Sequence, residues 1–234
     1  GSTDIALTEV LYRAANKYGI KYILEGHSFI TEGISPLGTF YIDGKYISDI
    51  QEKFGEFKIS TFPNMSLIKF LYWVIFKRIK KVRPLWYIAY SKEEATEKLK
   101  VKFDWKYYGG HHLENRMTAF MHSYYLPKKF NIDNRDNSLS ASVREGKISR
   151  TEALNEYKNS KPYLELELVN YFKKRLNLKN KEFQKIMALP PKSYKDYKTY
   201  KKKFEILRPL FYILSKYHLV PRSFYIKYTS KTEI

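Results

Sequence analysis

The chain contains no cysteine. Disulfides, a thiolate nucleophile and any cysteine-built zinc site are therefore excluded. It also lacks a long apolar run. The longest, Leu67 to Phe76, is interrupted by Lys69 and falls far short of the ~20 apolar residues that a spanning helix requires. Lys77, Arg78, Lys80, Lys81 and Arg83 follow directly, so the run reads as a buried helix with a solvated basic end rather than a membrane-surface helix. Nothing resembles a signal peptide, and cytoplasmic residence is the expectation. Acidic residues are in short supply: 43 Lys+Arg stand against 24 Asp+Glu in 234 residues, a formal net charge of +19. Such an excess favours anionic partners, whether nucleic acid, nucleotides, phosphosugars or a membrane surface. The abundance of Lys, Tyr, Ile and Asn also matches the bias of an AT-rich genome, in which much of the charge is plain solvated surface.

What is present begins with half of an α/β unit. Gly1-Ser2 reads as the remnant of a cleaved tag. Asp4 to Tyr18 reads as a helix capped by Thr3 or Asp4, with Leu7, Val10, Leu11 and Ala14 on one face and Gly19 as its stop. Ile20 to Leu24 is a short apolar strand that opens into Glu25-Gly26-His27 and runs on to Glu32. In open α/β sheets, ligands sit beyond the carboxyl ends of the strands, where Glu25 and His27 fall. Asp43-Gly44 signals a turn. Leu85 to Tyr90 is the second strand candidate, and Ser91 with Glu94 forms a capping box for a helix reaching about Lys100. Ser149 and Glu152 form another, while Tyr163 to Leu176 and about Ser193 to Tyr217 carry helical spacing. The expected fold class is α/β: a partial domain over residues 1–105, then a mainly α-helical region over 106–234. Two or three strands make a poor sheet alone, which marks the chain as the C-terminal part of a longer protein.

Chemistry-bearing residues concentrate between Lys106 and Phe130. Gly109-Gly110 precede His111, His112, Glu114 and Arg116, and His122, Tyr124, Lys128 and Lys129 follow on what should be one helix. Free N–H groups at a helix start suit an anionic substrate. Neighbouring His111 and His112 diverge by about 100° on a helix, so one can face the site as a general base while the other packs or meets solvent. Glu114 and Arg116 suit a sugar hydroxyl and a phosphate or carboxylate, or else form an ordinary ion pair. His122 shares a face with His111 if the helix is continuous, although a satisfied core histidine is the plainer reading. Glu25, His27 and Glu32 suit substrate orientation or Mg²⁺ placement, or are simple loop polarity. Lys128, Lys129, Arg135 and Arg144 make the best local basic patch for a nucleotide-sugar diphosphate, or are helix-end and surface charges. Without cysteine and without HxxxH or HExxH spacing, no metal-ligating set is expected.

At Gly26-His-Ser-Phe-Ile-Thr-Glu-Gly33, at Tyr41-Ile-Asp-Gly-Lys-Tyr-Ile47, and at Tyr124 to Arg135 and Leu139 to Leu154, the chain resembles the N-acetyl sugar amidotransferases. These are PP-loop ATP pyrophosphatases of surface-polysaccharide (LPS, O-antigen) and nonulosonic-acid biosynthesis. The likeness covers roughly Asp4 to Tyr157. It implies the C-terminal part of a PP-loop (adenine-nucleotide α-hydrolase-like) parallel sheet followed by a helical region. The implied activity converts a sugar acetamido group to acetamidino: ATP adenylylates the amide oxygen, pyrophosphate leaves, and ammonia then displaces AMP. The implied cofactors are ATP and Mg²⁺. The implied partners are a nucleotide-activated N-acetyl sugar and a glutaminase subunit that supplies ammonia. The family's phosphate loop, Ser-Gly-Gly-x-Asp-Ser, and its N-terminal cysteine pair are absent from this sequence. The chain is thus expected to carry the acceptor side without the pyrophosphate cradle, and to be an incomplete enzyme by itself.

Two other readings stand beside this one. A basic nucleic-acid-binding module, or a tRNA-modifying PP-loop protein, would use the Lys/Tyr interleaving of Tyr194 to Lys203 for stacking and phosphate contacts. Tyrosines spaced by three also fit the inner stripe of an amphipathic helix, and the 106–135 motifs argue against the tRNA-modifying protein. An adaptor would dock its partner through Trp73, Trp86 or Phe211-Tyr212.

Overall fold

The computed structural model describes residues 2–28, 41–88, 91–106, 115–159 and 166–231. These are mainly helical, with one two-stranded parallel sheet. The chain divides into two compact units, one of Gly1–His27, Ser35–Tyr87 and Lys192–Ile234, the other of Ser28–Ile34 and Ile88–Pro191.

In the first unit, helix α1 (Ser2–Lys17) ends at Gly19, whose φ of 69° is the left-handed conformation that glycine adopts without steric cost. Leu7, Val10 and Leu11 do share a face, but it is the outer one; the helix buries Glu9, Tyr12 and Ala15 instead. The aromatic residue decides the orientation, because Tyr12 stacks on Trp73 with centroids 6.3 Å apart and planes 6° from parallel. Strand β1 (Tyr22–Leu24) pairs in parallel with strand β2 (Lys80–Val82), Ile23 opposite Lys81. The expected strand from Leu85 is corrected: Pro84 opens a single 3₁₀ turn, Pro84–Trp86, since its fixed φ suits a turn start and it has no N–H for a ladder. The second strand lies just upstream, inside the basic run.

Asp43-Gly44 opens a helix rather than a turn. Asp43 caps Gly44–Phe54 by accepting from the Tyr46 N–H at 2.8 Å. Only glycine fits the next position, because a Cβ there would overlap the Met65 carbonyl oxygen. The apolar run is helical as expected: Ser66 caps Leu67–Leu71, which passes into a π-helical turn, Tyr72–Phe76. Leu67, Phe70 and Val74 are buried, while Ile68 and Phe76 face outward.

The long helix expected from Ser193 to Tyr217 is broken. A 3₁₀ turn at Tyr194–Asp196 gives way to extended Tyr197, and helices resume at Lys201–Ile206, Arg208–Lys216 and Arg222–Thr229. The cause is distant in sequence. The buried carboxylates of Asp49 and Asp43 accept from the backbone N–H groups of Lys198 (3.0 Å) and Tyr200 (2.7 Å), donors that a continuous helix would have used internally. These C-terminal helices complete the core, where Phe204, Phe211, Leu214 and Val220 pack with Tyr12, Ile23, Phe70, Val74 and Ile79.

The described elements of the second unit are all helices: Lys92–Phe103, Arg116–Phe120 running into a π-helical Met121–Phe130, then Arg135–Arg144, Arg150–Asn159, Leu166–Arg175 and Asn180–Ala188. Ser91 caps its helix by accepting from the Glu94 N–H at 3.2 Å, but its hydroxyl donates to Glu93 rather than Glu94. The Ser149–Glu152 box closes from both sides, at 2.7 and 3.1 Å. Phe120 and Phe172, stacked at 4.5 Å, anchor a small core with Ala119, Leu168 and Phe183. Among the described residues, no helix is long and apolar enough to cross a membrane.

Candidate anion-binding site at the strand ends

Strand alternation puts Ile23 and Glu25 on one face of β1, and Ile79, Lys81 and Arg83 on the matching face of β2. The apolar members seal the core: Ile23 and Ile79 are 8% and 1% exposed. Beside them come the charges, with Lys81 inside β2 and Glu25 and Arg83 just past the carboxyl ends of the two strands. Glu25 accepts from Lys81 Nζ at 2.6 Å through one carboxylate oxygen and from Arg83 Nε at 2.9 Å through the other. The Arg83 guanidinium also donates to Ser223 Oγ at 2.7 Å and lies 5.0 Å from the Trp86 ring. His27 sits 6.4 Å from the same ring.

Burial by itself raises a carboxyl pKa, but Lys81 and Arg83 outweigh it and hold Glu25 below the ordinary carboxylate range. Lys227 lies one turn beyond Ser223 on the same helix face. Desolvation, then the nearby Arg83 charge, lowers its pKa, with Asp4 opposing. Two cations thus hold Glu25 and a third, Lys227, stands near Arg83, a basic surround that suits an oxyanion at a strand end.

A group with a depressed pKa contributes stability that is present above the ordinary carboxylate range and is lost as pH falls through the folded-state value. Glu25→Gln is therefore expected to be less stable than the native chain at about pH 6 and to lose less on acidification to about pH 3. Urea midpoints across that range check it. Parallel pH profiles for the two chains would remove Glu25 from the charge balance.

The other sequence candidates fall as follows. Glu32, His111, His112 and Glu114 lie outside the described residues. Arg116 is exposed, its guanidinium 4.3 Å over the Tyr171 ring. The helix that carries His122 starts after Asn115, which caps it by accepting from the Thr118 N–H at 3.1 Å. His122 is half-buried on the π-helical segment, and Tyr124 stacks on Phe120 at 5.8 Å. Of the expected basic patch, Lys128 and Arg144 are exposed, but the other two cations are already engaged. Lys129 Nζ donates to the carbonyls of Ile186 (2.6 Å) and Leu189 (2.8 Å), closing the end of Asn180–Ala188. Arg135 grips Asp133 through Nε and a terminal nitrogen, at 2.9 and 2.6 Å.

The proposed stacking tyrosines turn onto the protein itself. Tyr194 packs on Tyr41 at 5.0 Å and Tyr197 edge-on to Tyr46 at 5.1 Å, which spends on the fold the ring faces that nucleobases would need. Trp73 and Phe211 are likewise core residues; the Trp73 indole donates to Glu9 at 3.2 Å.

Residues 114–210 match the family of WbpG-like LPS biosynthesis proteins, over their C-terminal domain. The WbpG-like segment starts at Glu114, inside the dense motif, and runs through the broken helix to Leu210. It agrees with the likeness to surface-polysaccharide enzymes read from the sequence. No curated protein and no solved structure matches the chain.

Lys81, Arg83, Ser223 and Lys227 were not among the sequence candidates. Lys81 and Arg83 lay in a run read as a solvated helix end. Their spacing by two was the available signal, since it places both on one face of a strand. Ser223 and Lys227 are spaced by four on a helix, but nothing in the sequence ties them to Arg83.

Proposed function

We propose that the chain supplies the acceptor side of an ATP-dependent amidation of a nucleotide-activated N-acetyl sugar in LPS biosynthesis. The observation that carries the reading is the WbpG-like match, which begins at Glu114, directly after His111-His112-Leu113. On this reading β1 and β2 belong to a PP-loop-type sheet, and the charges beyond their carboxyl ends face the phosphate-bearing side of the reaction. Lys227 and the Arg83 guanidinium suit phosphate oxygens, while Glu25 holds Lys81 and Arg83 Nε in place. Glu25 does not suit Mg²⁺, because both of its oxygens already accept from cations; no step is assigned to the metal. ATP, when bound, supplies the adenylyl group that turns the amide oxygen into a leaving group. His111 or His112 takes the proton from the attacking ammonia, and Glu114 orients the acceptor sugar through a hydroxyl. Ammonia arrives from a glutaminase partner.

The test is amidination of an N-acetylated nucleotide sugar by the intact protein with ATP and ammonium, read by mass spectrometry. Single His111→Ala, His112→Ala and Glu114→Ala changes are expected to leave circular dichroism unaltered. At least one histidine variant and the glutamate variant should each lose about 10²-fold or more in turnover. Near-native turnover in all three sinks the assignment.

A further inference from the structure

The apolar run from Leu67 to Phe76, which reads in sequence as a buried helix, is buried on one side only. Leu67, Phe70 and Val74 point into the core, while Ile68, Tyr72 and Phe76, spaced by four, form a second stripe on the outer side. The rings of Tyr72 and Phe76 stack with centroids 6.1 Å apart, so the stripe continues across the π-helical turn. Ile68 is 80% exposed and Phe76 75%. The helix beneath them is nevertheless fixed, by its buried residues and by the Trp73 indole donating to Glu9. A fixed helix that holds an isoleucine and a phenylalanine in water marks an interaction surface.

Charge selects what covers it. From Phe57 to Lys92 the sequence holds no aspartate or glutamate. Cations gather at the end of the stripe. Lys77 Nζ lies 5.5 Å from the Tyr72 ring, Lys21 Nζ donates to the Lys77 carbonyl at 3.0 Å, and the Lys80 N–H donates to the Lys21 carbonyl at 2.8 Å. Exposed Arg78 stands between Lys77 and Lys80 in the chain. Two acids on the neighbouring elements are spent elsewhere: Glu9 is 1% exposed, and strand alternation puts Glu25 on the opposite face of the sheet from Lys80. An apolar stripe that ends in lysine and arginine matches the two layers of an anionic bilayer surface, the acyl boundary and the phosphates above it. A second copy of the chain would bring the same cations face to face, and a nucleic acid would leave Ile68 without a partner. We infer that this helix face docks the protein on an anionic lipid surface: Ile68, Tyr72 and Phe76 enter the headgroup boundary, and Lys77, Arg78 and Lys80 meet lipid phosphates. The inference goes beyond the amidation reading and does not depend on it.

Co-sedimentation of the chain with vesicles at physiological salt tests it, comparing pure phosphatidylcholine with about three parts phosphatidylcholine to one of phosphatidylglycerol. The native chain is expected on the anionic vesicles, with affinity for the neutral ones about tenfold weaker or worse. Changing Ile68→Ser and Phe76→Ser together removes only outward groups and should weaken anionic binding about tenfold or more. Changing Arg78→Gln and Lys80→Gln together should cost about tenfold as well. Val101→Ser, at a residue 79% exposed in the other unit, changes nothing. Circular dichroism confirms that each variant is folded. Failure of the native chain to sediment with anionic vesicles, or equal affinity for neutral ones, overturns the inference. A loss in the charge variant with none in the Ile68 and Phe76 variant means adsorption of a basic protein by charge alone, and overturns it too. Single-stranded RNA that displaces the vesicles, with its own affinity falling as steeply in both paired variants, would assign the face to nucleic acid instead. None of these readouts involves ATP, ammonia or an acetamido group, so their failure is distinct from failure of the amidation reading.

Discussion

Replacing Asp43 with alanine is expected to cost about 4 kcal/mol of folding free energy, several-fold more than an ordinary surface change. The carboxylate is 6% exposed and accepts from three donors. These are the Tyr46 N–H at 2.8 Å, the Tyr41 hydroxyl at 2.6 Å and the Tyr200 N–H at 2.7 Å. Burial and the Asp43 charge push the Tyr41 phenol upward, so it stays protonated and donating. Losing the cap costs about 1 kcal/mol, and each stranded buried donor about 1–3 kcal/mol more. In a chain of this size that corresponds to a thermal midpoint lower by roughly 8–16 °C. Thermal unfolding followed by circular dichroism measures it. Because Tyr41→Phe removes one of the stranded donors, the double variant should lose less than the sum of the two single changes. A loss below about 1 kcal/mol in Asp43→Ala, or strict additivity, would show that the carboxylate is not the junction described.

Phe211→Ala comes next, at about 3–5 kcal/mol. The side chain is 0% exposed. Its ring lies 5.2 Å from Phe204, 5.7 Å from Phe224 and 6.4 Å from Phe70, contacts to three separate helices that cannot all close over the space it leaves. The adjacent Tyr212, 46% exposed, should cost about 1 kcal/mol or less on the same change. The pair separates a core role from an interface role. Were the Phe211-Tyr212 region a docking surface, both changes would leave the isolated chain's stability nearly untouched and weaken partner capture instead. Urea midpoints for the two variants decide it.

Local chemistry was legible in the sequence, and pairing between distant residues was not. The stop at Gly19, the cap at Ser91 and the reciprocal box at Ser149 and Glu152 each depend on residues within one turn of each other, and each is present. β1 was legible because Ile23 sits in a short apolar run bounded by glycine and polar residues. β2 was hidden because its residues, Lys80-Lys81-Val82, look like solvated charge. Only their partner across the sheet, Ile23 with Glu25 beyond it, makes them a strand. The tyrosine-rich segment was misread for the same reason. Nothing near Tyr200 announces that its N–H is claimed by Asp43, and without that claim the helical spacing stands unopposed. Of the candidate site, the sequence pointed to Glu25 and His27 from strand position alone, yet the cations that give Glu25 its setting come from two other segments.

The division of the chain into units has a consequence for the order in which it folds. Asp43 and Tyr200 are 157 residues apart, and the larger segment of the second unit, Ile88–Pro191, lies between them in sequence. Closing an unstructured loop of that length costs about 4–5 kcal/mol, nearly the whole of what the junction at Asp43 returns. The inserted helices are rich in contacts between sequence neighbours, which form faster than distant pairings. Once formed, they shorten the flexible path between the two ends of the first unit and lower that closure cost. α1 and β1 therefore wait for Lys201–Ile206, Arg208–Lys216 and Arg222–Thr229 to follow in the chain. During that wait the face that Phe204, Phe211 and Val220 will cover stays open, and it is then that the chain is most exposed to aggregation.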